Sequence, residues 1–291
     1  MYNVDLSIVI VNYNTKELLK QTIESVIKTS KEIQHEIIVV DNASMDDSEE
    51  MVRVNFQSVI LIVNDSNLGY SKANNIGIKK ATGRYVLLLN SDTIVVEDCL
   101  QECVKYMDNN KGIGALGCKV VLRSGELDHA CKRGFPTPEA SLYYLLKLDK
   151  LFPNSRRFGK YDLTYLPQEE INEVDVLIGA FMMVRGDTIS KVGLLDEDFF
   201  MYGEDIDWCY RIKAAGFQNV YYPVQKIIHY KGASSRKRRF MTIYEFHRAM
   251  LLFYNKHYRG KYNFLVTIAV YTGVSLKLGL GILINLFKRR G

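Results

Sequence analysis

Glu204-Asp205-Ile206-Asp207 places three carboxylates within four residues, directly after the apolar run Phe199-Phe200-Met201-Tyr202-Gly203. Acidic side chains next to buried apolar ones are seldom left unpaired. The cluster is therefore either a helix N-terminus countered by Arg211 on the next turn, or a set in which one carboxylate takes a proton from a hydroxyl. Asp92 closes Asn90-Ser91-Asp92 after an apolar run. It can cap a helix, or supply the hard oxygen that a divalent cation prefers. His229 ends a β-like stretch and precedes Tyr230-Lys231-Gly232-Ala233-Ser234-Ser235 and the basic block Arg236 to Arg239. Its imidazole suits a structural role or a metal ligand, and the Gly-Ser-rich segment after it could fold over phosphates.

The elements that must position these groups can be read from periodicity. Leu6 to Val11 is a continuous β-branched run, as expected of a buried parallel strand. Thr15 is placed to cap a helix whose apolar positions Leu18, Leu19, Ile23, Val26 and Ile27 share a face. Further strands are predicted at 36–40, 59–63 and 85–89, with helices beginning near Asp46 and spanning 72–80. This alternation demands a parallel sheet with helices packed on it. Ligands gather at the carboxyl ends of such strands. The polar clusters Asn12-Tyr13-Asn14, Asp41-Asn42 and Asn90-Ser91-Asp92 all fall there. The middle of the chain is more irregular, with a strand at 119–122 and loop and short helix over 141–170.

Composition excludes several classes. The net charge of +5 across 291 residues is mild, with basic residues concentrated at 236–239 and 288–290. That pattern suits an anionic membrane surface or phosphates, and not nucleic acid. Five cysteines without a C-x-x-C pair read as reduced thiols. The first apolar run is too short for a signal peptide, which places the start of the chain in the cytoplasm. Gly112-Ile113-Gly114-Ala115-Leu116-Gly117 matches a dinucleotide fingerprint by letter, but a helix precedes it and a strand follows, so it reads as a turn. No P-loop sequence is present.

Taken in order, the motifs resemble the family-two inverting glycosyltransferases of the GT-A fold, in their bacterial rhamnosyltransferase-like branch. The resemblance rests on residues 7–14, 39–44, 67–77, 88–93, 179–182 and 200–207, completed by His229, and it runs over about residues 5–235. It implies an α/β, Rossmann-like mixed sheet flanked by helices. It also implies transfer of a sugar from a nucleoside diphosphate, with Mg²⁺ or Mn²⁺ neutralising the leaving diphosphate. Asn12 and Asp41 would contact the base. Asn67, Gly69 and Asn74 would shape the wall beside ribose and diphosphate, and Asn14 and Asn90 complete the nucleotide set. Asp92 would ligate the metal as the last residue of the family's D-x-D element, whose first Asp is replaced here by Asn90. His229 is similar to the family's second protein ligand. Asp205 is similar to its general base, with Glu204 as the alternative. Trp208 could stack on an acceptor sugar or anchor the core. The branch favours dTDP-rhamnose as donor and a lipid-linked saccharide as acceptor, with UDP-hexoses as rival donors. A non-catalytic nucleotide-sugar-binding module and a sugar nucleotidyltransferase are the competing readings. The latter would need a glycine-rich basic loop where Asn12-Tyr13-Asn14 stands.

The C-terminal part differs in character. Residues 1–240 read as the catalytic domain and 241–291 as an amphipathic, then apolar, helical appendage. Tyr262 to Phe287 is long enough to span a bilayer. Lys277 sits mid-segment, where insertion costs about 2.5 kcal/mol or more, and basic blocks flank the appendage on both sides. Both flanks therefore prefer the cytoplasmic face, which favours in-plane attachment at the inner membrane surface. A homo-oligomer is a further possibility left open by the sequence.

Overall fold

The computed structural model describes residues 3–231 and 239–287. The basic blocks at 236–238 and 288–290, and the Gly-Ser segment expected to fold over phosphates, lie outside the described residues. The chain runs β1 (Leu6–Asn12), α1 (Lys16–Thr29), β2 (His35–Asp41), α2 (Ser48–Asn55), β3 (Ile60–Val63), α3 (Tyr70–Lys80), β4 (Tyr85–Asn90), β5 (Thr93–Val95), α4 (Cys99–Asn109) and β6 (Ile113–Leu122). After a 3₁₀ turn at His129–Cys131 come α5 (Pro138–Leu145), α6 (Leu148–Leu151), β7 (Asn172–Val174), β8 (Phe181–Arg185), α7 (Gly186–Val192), α8 (Glu204–Ala214), β9 (Gln218–His229), α9 (Arg239–His257) and α10 (Phe264–Phe287).

The strands form one mixed sheet in the order β3-β2-β1-β4-β8-β6-β9-β5, with β7 also pairing β9. The first four are parallel, as their alternation with helices requires. In-register pairing puts Asn12 opposite Asp41, and Val11 opposite Asn90. The polar residues after β1, β2 and β4 therefore share one edge of the sheet. Strand β8 enters antiparallel to β4.

Helix α3 lies so close to the sheet that a Cβ on Gly77 would come within 2.4 Å of the Val9 side chain. That approach explains a glycine inside a helix, where it costs about 1 kcal/mol relative to alanine. The Gly112–Gly117 stretch is not a turn. From Ile113 it belongs to β6, where Cβ atoms on Gly114 and Gly117 would strike Phe217 and Leu177. The glycines serve close packing, which a one-dimensional motif cannot distinguish from a loop. Thr15 stands at the N-cap position of α1, and its carbonyl accepts from Leu19 N, but its side chain makes no capping bond. Its hydroxyl donates to Asn12 Oδ1 at 2.7 Å and meets the Ser91 hydroxyl at 2.9 Å. The five cysteines are buried and free.

Helix α9 packs on the α/β body through Ala249, Phe253, Tyr254 and Tyr258, against Phe199. Helix α10 folds back along α9. Tyr271 donates to Asn255 at 2.7 Å, and a Cβ on Gly281 would touch Ile243. Its outer face, including Leu265, Leu276, Leu280 and Phe287, is exposed.

Candidate active site

The first wall of the site is a network of buried amides at the strand ends. Asn12 Nδ2 donates to Asp41 Oδ1 at 2.8 Å and to Ser44 Oγ at 3.0 Å. Asn14, in the left-handed region at φ 55°, donates its backbone N–H to Ser44 Oγ at 2.9 Å. Asn42 joins this wall to the next loop by donating to Asn67 Oδ1 at 3.0 Å and to the Gly69 carbonyl at 3.2 Å. At Gly69, φ is +84°, and a Cβ would lie 2.5 Å from the Phe200 carbonyl. Only glycine fits both constraints. Through this contact the loop before α3 touches the segment that leads into α8, since Tyr70 N donates to Phe200 O at 2.6 Å.

Tyr70 ties the parts together. Its hydroxyl donates to the Gly179 carbonyl at 2.8 Å and lies 3.1 Å from Asn90 Oδ1. Its phenol is pushed well above its usual range by burial first, then by the charges of Glu204 and Asp205, with Asp92 adding to them. One hydroxyl thus feels the carboxylates of both the β4 end and the α8 start.

At that β4 end, Asp92 Oδ1 and His229 Nε2 are 3.1 Å apart and both residues are buried. Strand pairing sets this contact, because Thr93 in β5 is the register partner of His229 in β9. His229 Nδ1 is buried without a hydrogen-bond partner and faces Asp128 Oδ2 at 3.6 Å. Asp128 accepts two bonds from the Lys231 ammonium, at 2.8 and 2.9 Å. Burial disfavours the imidazolium, but Asp128 and Asp92 outweigh it and raise the His229 pKa to about 9.

Asp92 and, once its imidazole has given up its proton, His229 would hold a divalent cation here. A carboxylate facing the other ring nitrogen is the usual support of a metal-bound histidine. Among the described residues no cluster of three or more His, Cys, Asp or Glu side chains is disposed to hold an ion.

At the α8 start, Arg133 Nη2 donates to Asp205 Oδ2 at 2.7 Å in a buried pair. Glu204 Oε2 is buried without a hydrogen-bond partner. Burial, then the neighbouring Asp205 charge, pushes the Glu204 carboxyl up to about 8. Asp207 turns away from both, accepting from Arg211 at 2.8 Å and pairing with His257 Nε2 at 2.7 Å. One α8 acid thus has the partner expected from sequence, while Asp205 is held by Arg133 and Glu204 keeps an unpartnered oxygen.

Not every expected residue is free to touch a ligand. Trp208 is fully buried and its indole N–H donates to Gly193 O at 2.9 Å. Its ring is a core anchor and has no open face for a sugar, which overturns the stacking expectation. Asn74 is buried, with its amide donating to the Tyr70 carbonyl one turn back. Arg133, Asp128 and Tyr70 escaped sequence reasoning. Tyr70 lies inside the stretch read as loop wall, and the other two lie in the irregular middle, where no periodicity marks them.

The family model described as glycosyl transferase family 2 matches residues 7–159, which contain the amide wall, Asp92, Asp128 and Arg133. The chain belongs to glycosyl transferase family 2. This glycosyltransferase is 29% identical over 213 residues to the low-salt glycan biosynthesis hexosyltransferase Agl10 of Haloferax volcanii, covering 72% of this chain and 62% of that one. It is 27% identical over 241 residues to the rhamnosyltransferase WbbL of Escherichia coli K12, covering 79% of this chain and 84% of that one. Among solved structures, a mannosyltransferase of Pyrobaculum calidifontis in complex with GDP-Man and Mn²⁺ superimposes with a TM-score of 0.60 at 15% identity, over 97% of this chain and 74% of that one. The GT-A architecture of the glycosyltransferase is thereby shown.

Proposed function

We propose that this family-two glycosyltransferase moves a sugar, with dTDP-rhamnose the favoured donor, onto a hydroxyl of a lipid-linked saccharide with inversion at the anomeric carbon. The observation that carries the reading is that Tyr70 joins the two halves of the site: its hydroxyl bonds Asn90 Oδ1 in the strand end that leads to the Asp92–His229 pair, and its backbone N–H bonds Phe200 O in the segment that leads to Glu204 and Asp205. One pair suits the leaving diphosphate, and the other suits the incoming nucleophile. Asn12, Asn14, Asp41, Asn67, Gly69, Asn74 and Asn90 are assigned to the nucleotide side. A divalent cation at Asp92 and His229, Mg²⁺ or Mn²⁺, would neutralise charge on the departing diphosphate.

Asp205 takes the acceptor hydroxyl proton as that oxygen attacks, and Arg133 fixes the orientation of its carboxylate. A second reading gives the proton to Glu204, supported by its raised pKa of about 8 and its unpartnered Oε2, since a base works best near the ambient pH. The name of WbbL supports rhamnose, and that of Agl10, a hexosyltransferase, leaves the hexose alternative in play. Residues 241–291 are assigned to attachment at the cytoplasmic membrane face. Supporting this, α10 is a 24-residue helix containing an 18-residue stretch of mean hydropathy 1.7 that is only 6% buried.

The test is nucleoside diphosphate release from a panel of dTDP- and UDP-sugars with Mn²⁺ and a polyprenyl-linked saccharide. Release from dTDP-rhamnose above all others is expected. Equal rates for UDP-hexoses would reject the donor assignment, and no release from any would reject the enzymatic reading.

A further inference from the structure

Between Arg133 and β7, the chain makes an excursion that the amide wall and the carboxylates do not use. Helix α5 opens with Pro138 after Thr137, whose hydroxyl accepts from Ala140 N at 3.2 Å, so its start is well capped. Leu142, Leu145, Leu146, Leu151 and Phe152 then stand 47 to 68% exposed. Exposed leucines occurring singly need no explanation, but contiguous ones mark contact surfaces.

Their frame is ordered. Tyr143 and Phe152 both pack on Phe158, at ring separations of 5.1 and 5.3 Å, and Arg157 Nε donates to the Tyr143 hydroxyl at 3.2 Å. The apolar tips are therefore held outward by an aromatic base.

From 142 to 160 the exposed charge is of one sign, with Glu139 exposed before the stretch and Asp162 half-buried after it. Lys147, Lys150, Arg156, Arg157 and Lys160 are exposed, while Asp149, in their midst, is buried. Lysine is depleted at the centres of protein–protein interfaces. Apolar side chains ringed by basic ones are the pattern of interfacial lipid binding.

Two contacts fix where this surface lies. Tyr262 donates to Glu139 Oε2 at 3.0 Å, which joins the first turn of α5 to the start of α10, where Phe264 and Leu265 are each 74% exposed. Gly134 N donates to Tyr161 O at 2.7 Å, which ties the end of the excursion to the residue next to Arg133, the partner of Asp205.

We propose that the α5–α6 segment is a second membrane-contacting element, docking on an anionic lipid bilayer beside the start of α10 and holding the carboxylate side of the cleft next to that surface. The inference rests on reading the protein as one that works at a membrane. The experiment separates the two claims.

The full chain is floated with phosphatidylcholine vesicles, with or without phosphatidylglycerol. Three double variants are compared with wild type: Leu145→Asp with Leu146→Asp, Lys147→Glu with Lys150→Glu, and Leu276→Asp with Leu280→Asp in α10. All six residues are exposed, and circular dichroism checks that each variant is folded. The expected result is binding that requires phosphatidylglycerol and falls about tenfold or more in both α5–α6 variants although α10 is intact. If those variants float like wild type while the α10 variant is released, the proposal is overturned and membrane attachment stands. If wild type binds neither vesicle, both claims fall. If light scattering shows a wild-type dimer that the α5–α6 variants convert to monomer, the surface joins two copies of the chain and the proposal is likewise overturned.

Discussion

Arg133 and Asp205 form a 2.7 Å ion pair although 72 positions separate them, and both side chains are nearly enclosed. Burial opposes the guanidinium charge, and Asp205 more than restores it. Removing one partner of such a pair leaves the other charge buried and uncompensated. Arg133→Met is therefore expected to destabilise the protein by about 3–5 kcal/mol, seen as a fall in Tm. Arg133→Lys keeps the charge but loses the planar fork. It should retain the fold while lowering kcat more than the donor KM. Full activity in Arg133→Lys would show that the orientation of Asp205 does not matter to turnover.

The two candidate bases can be told apart. Asp205→Asn is expected to lower kcat by about 10²–10⁴, with donor affinity by calorimetry unchanged. If Asp205→Asn turns over normally and Glu204→Gln is dead, the base is Glu204. In that case wild-type activity should rise with pH up to about 8, the value to which burial and Asp205 push that carboxyl.

Glu204 also leaves a signature in stability. Its folded pKa of about 8 exceeds the ordinary 4.5, so the folded chain prefers the protonated carboxyl. The stabilisation is full below the ordinary value and is lost as pH rises through about 8. Glu204→Gln, which cannot ionise, should show a flatter Tm across that window than wild type. Parallel Tm curves for the two proteins would refute the burial argument.

The Asp92–His229 pair is expected to need its carboxylate support. Asp128→Asn should weaken Mn²⁺ binding, measured by calorimetry in the presence of nucleoside diphosphate, by about 10–100-fold. Chelation of divalent ions should stop transfer, and added Mn²⁺ should restore it. Turnover that persists in chelator would reject the metal assignment.

Trp208 tests the boundary between core and site. Trp208→Ala is expected to cost about 3–5 kcal/mol, because the indole is enclosed and its N–H is held by Gly193 O. Trp208→Phe should lower Tm modestly and leave the acceptor KM unchanged. A raised KM at constant Tm would return the ring to the acceptor site.

By itself the sequence determined the parallel half of the sheet and its polar edge. Leu6–Asn12, His35–Asp41 and Tyr85–Asn90 are continuous apolar strands ending in amides or carboxylates, and a right-handed crossover leaves few ways to arrange them. It also determined that Asp92, His229 and the α8 acids were the groups to watch, because charged or titratable side chains stood where apolar runs ended.

What only the tertiary structure decided is which of these groups meet. His229 reaches Asp92 across 137 positions because β9 bends round to pair with β5, and no local pattern encodes that register. Arg133 and Asp128 sit in a segment without periodicity, so nothing in the chain marked them before the fold placed them. The same holds for Trp208. Its position after three carboxylates suggested a ligand, but the phase of α8 turns its ring into the core, and that phase is fixed by packing against β6 and β9 rather than by neighbouring residues.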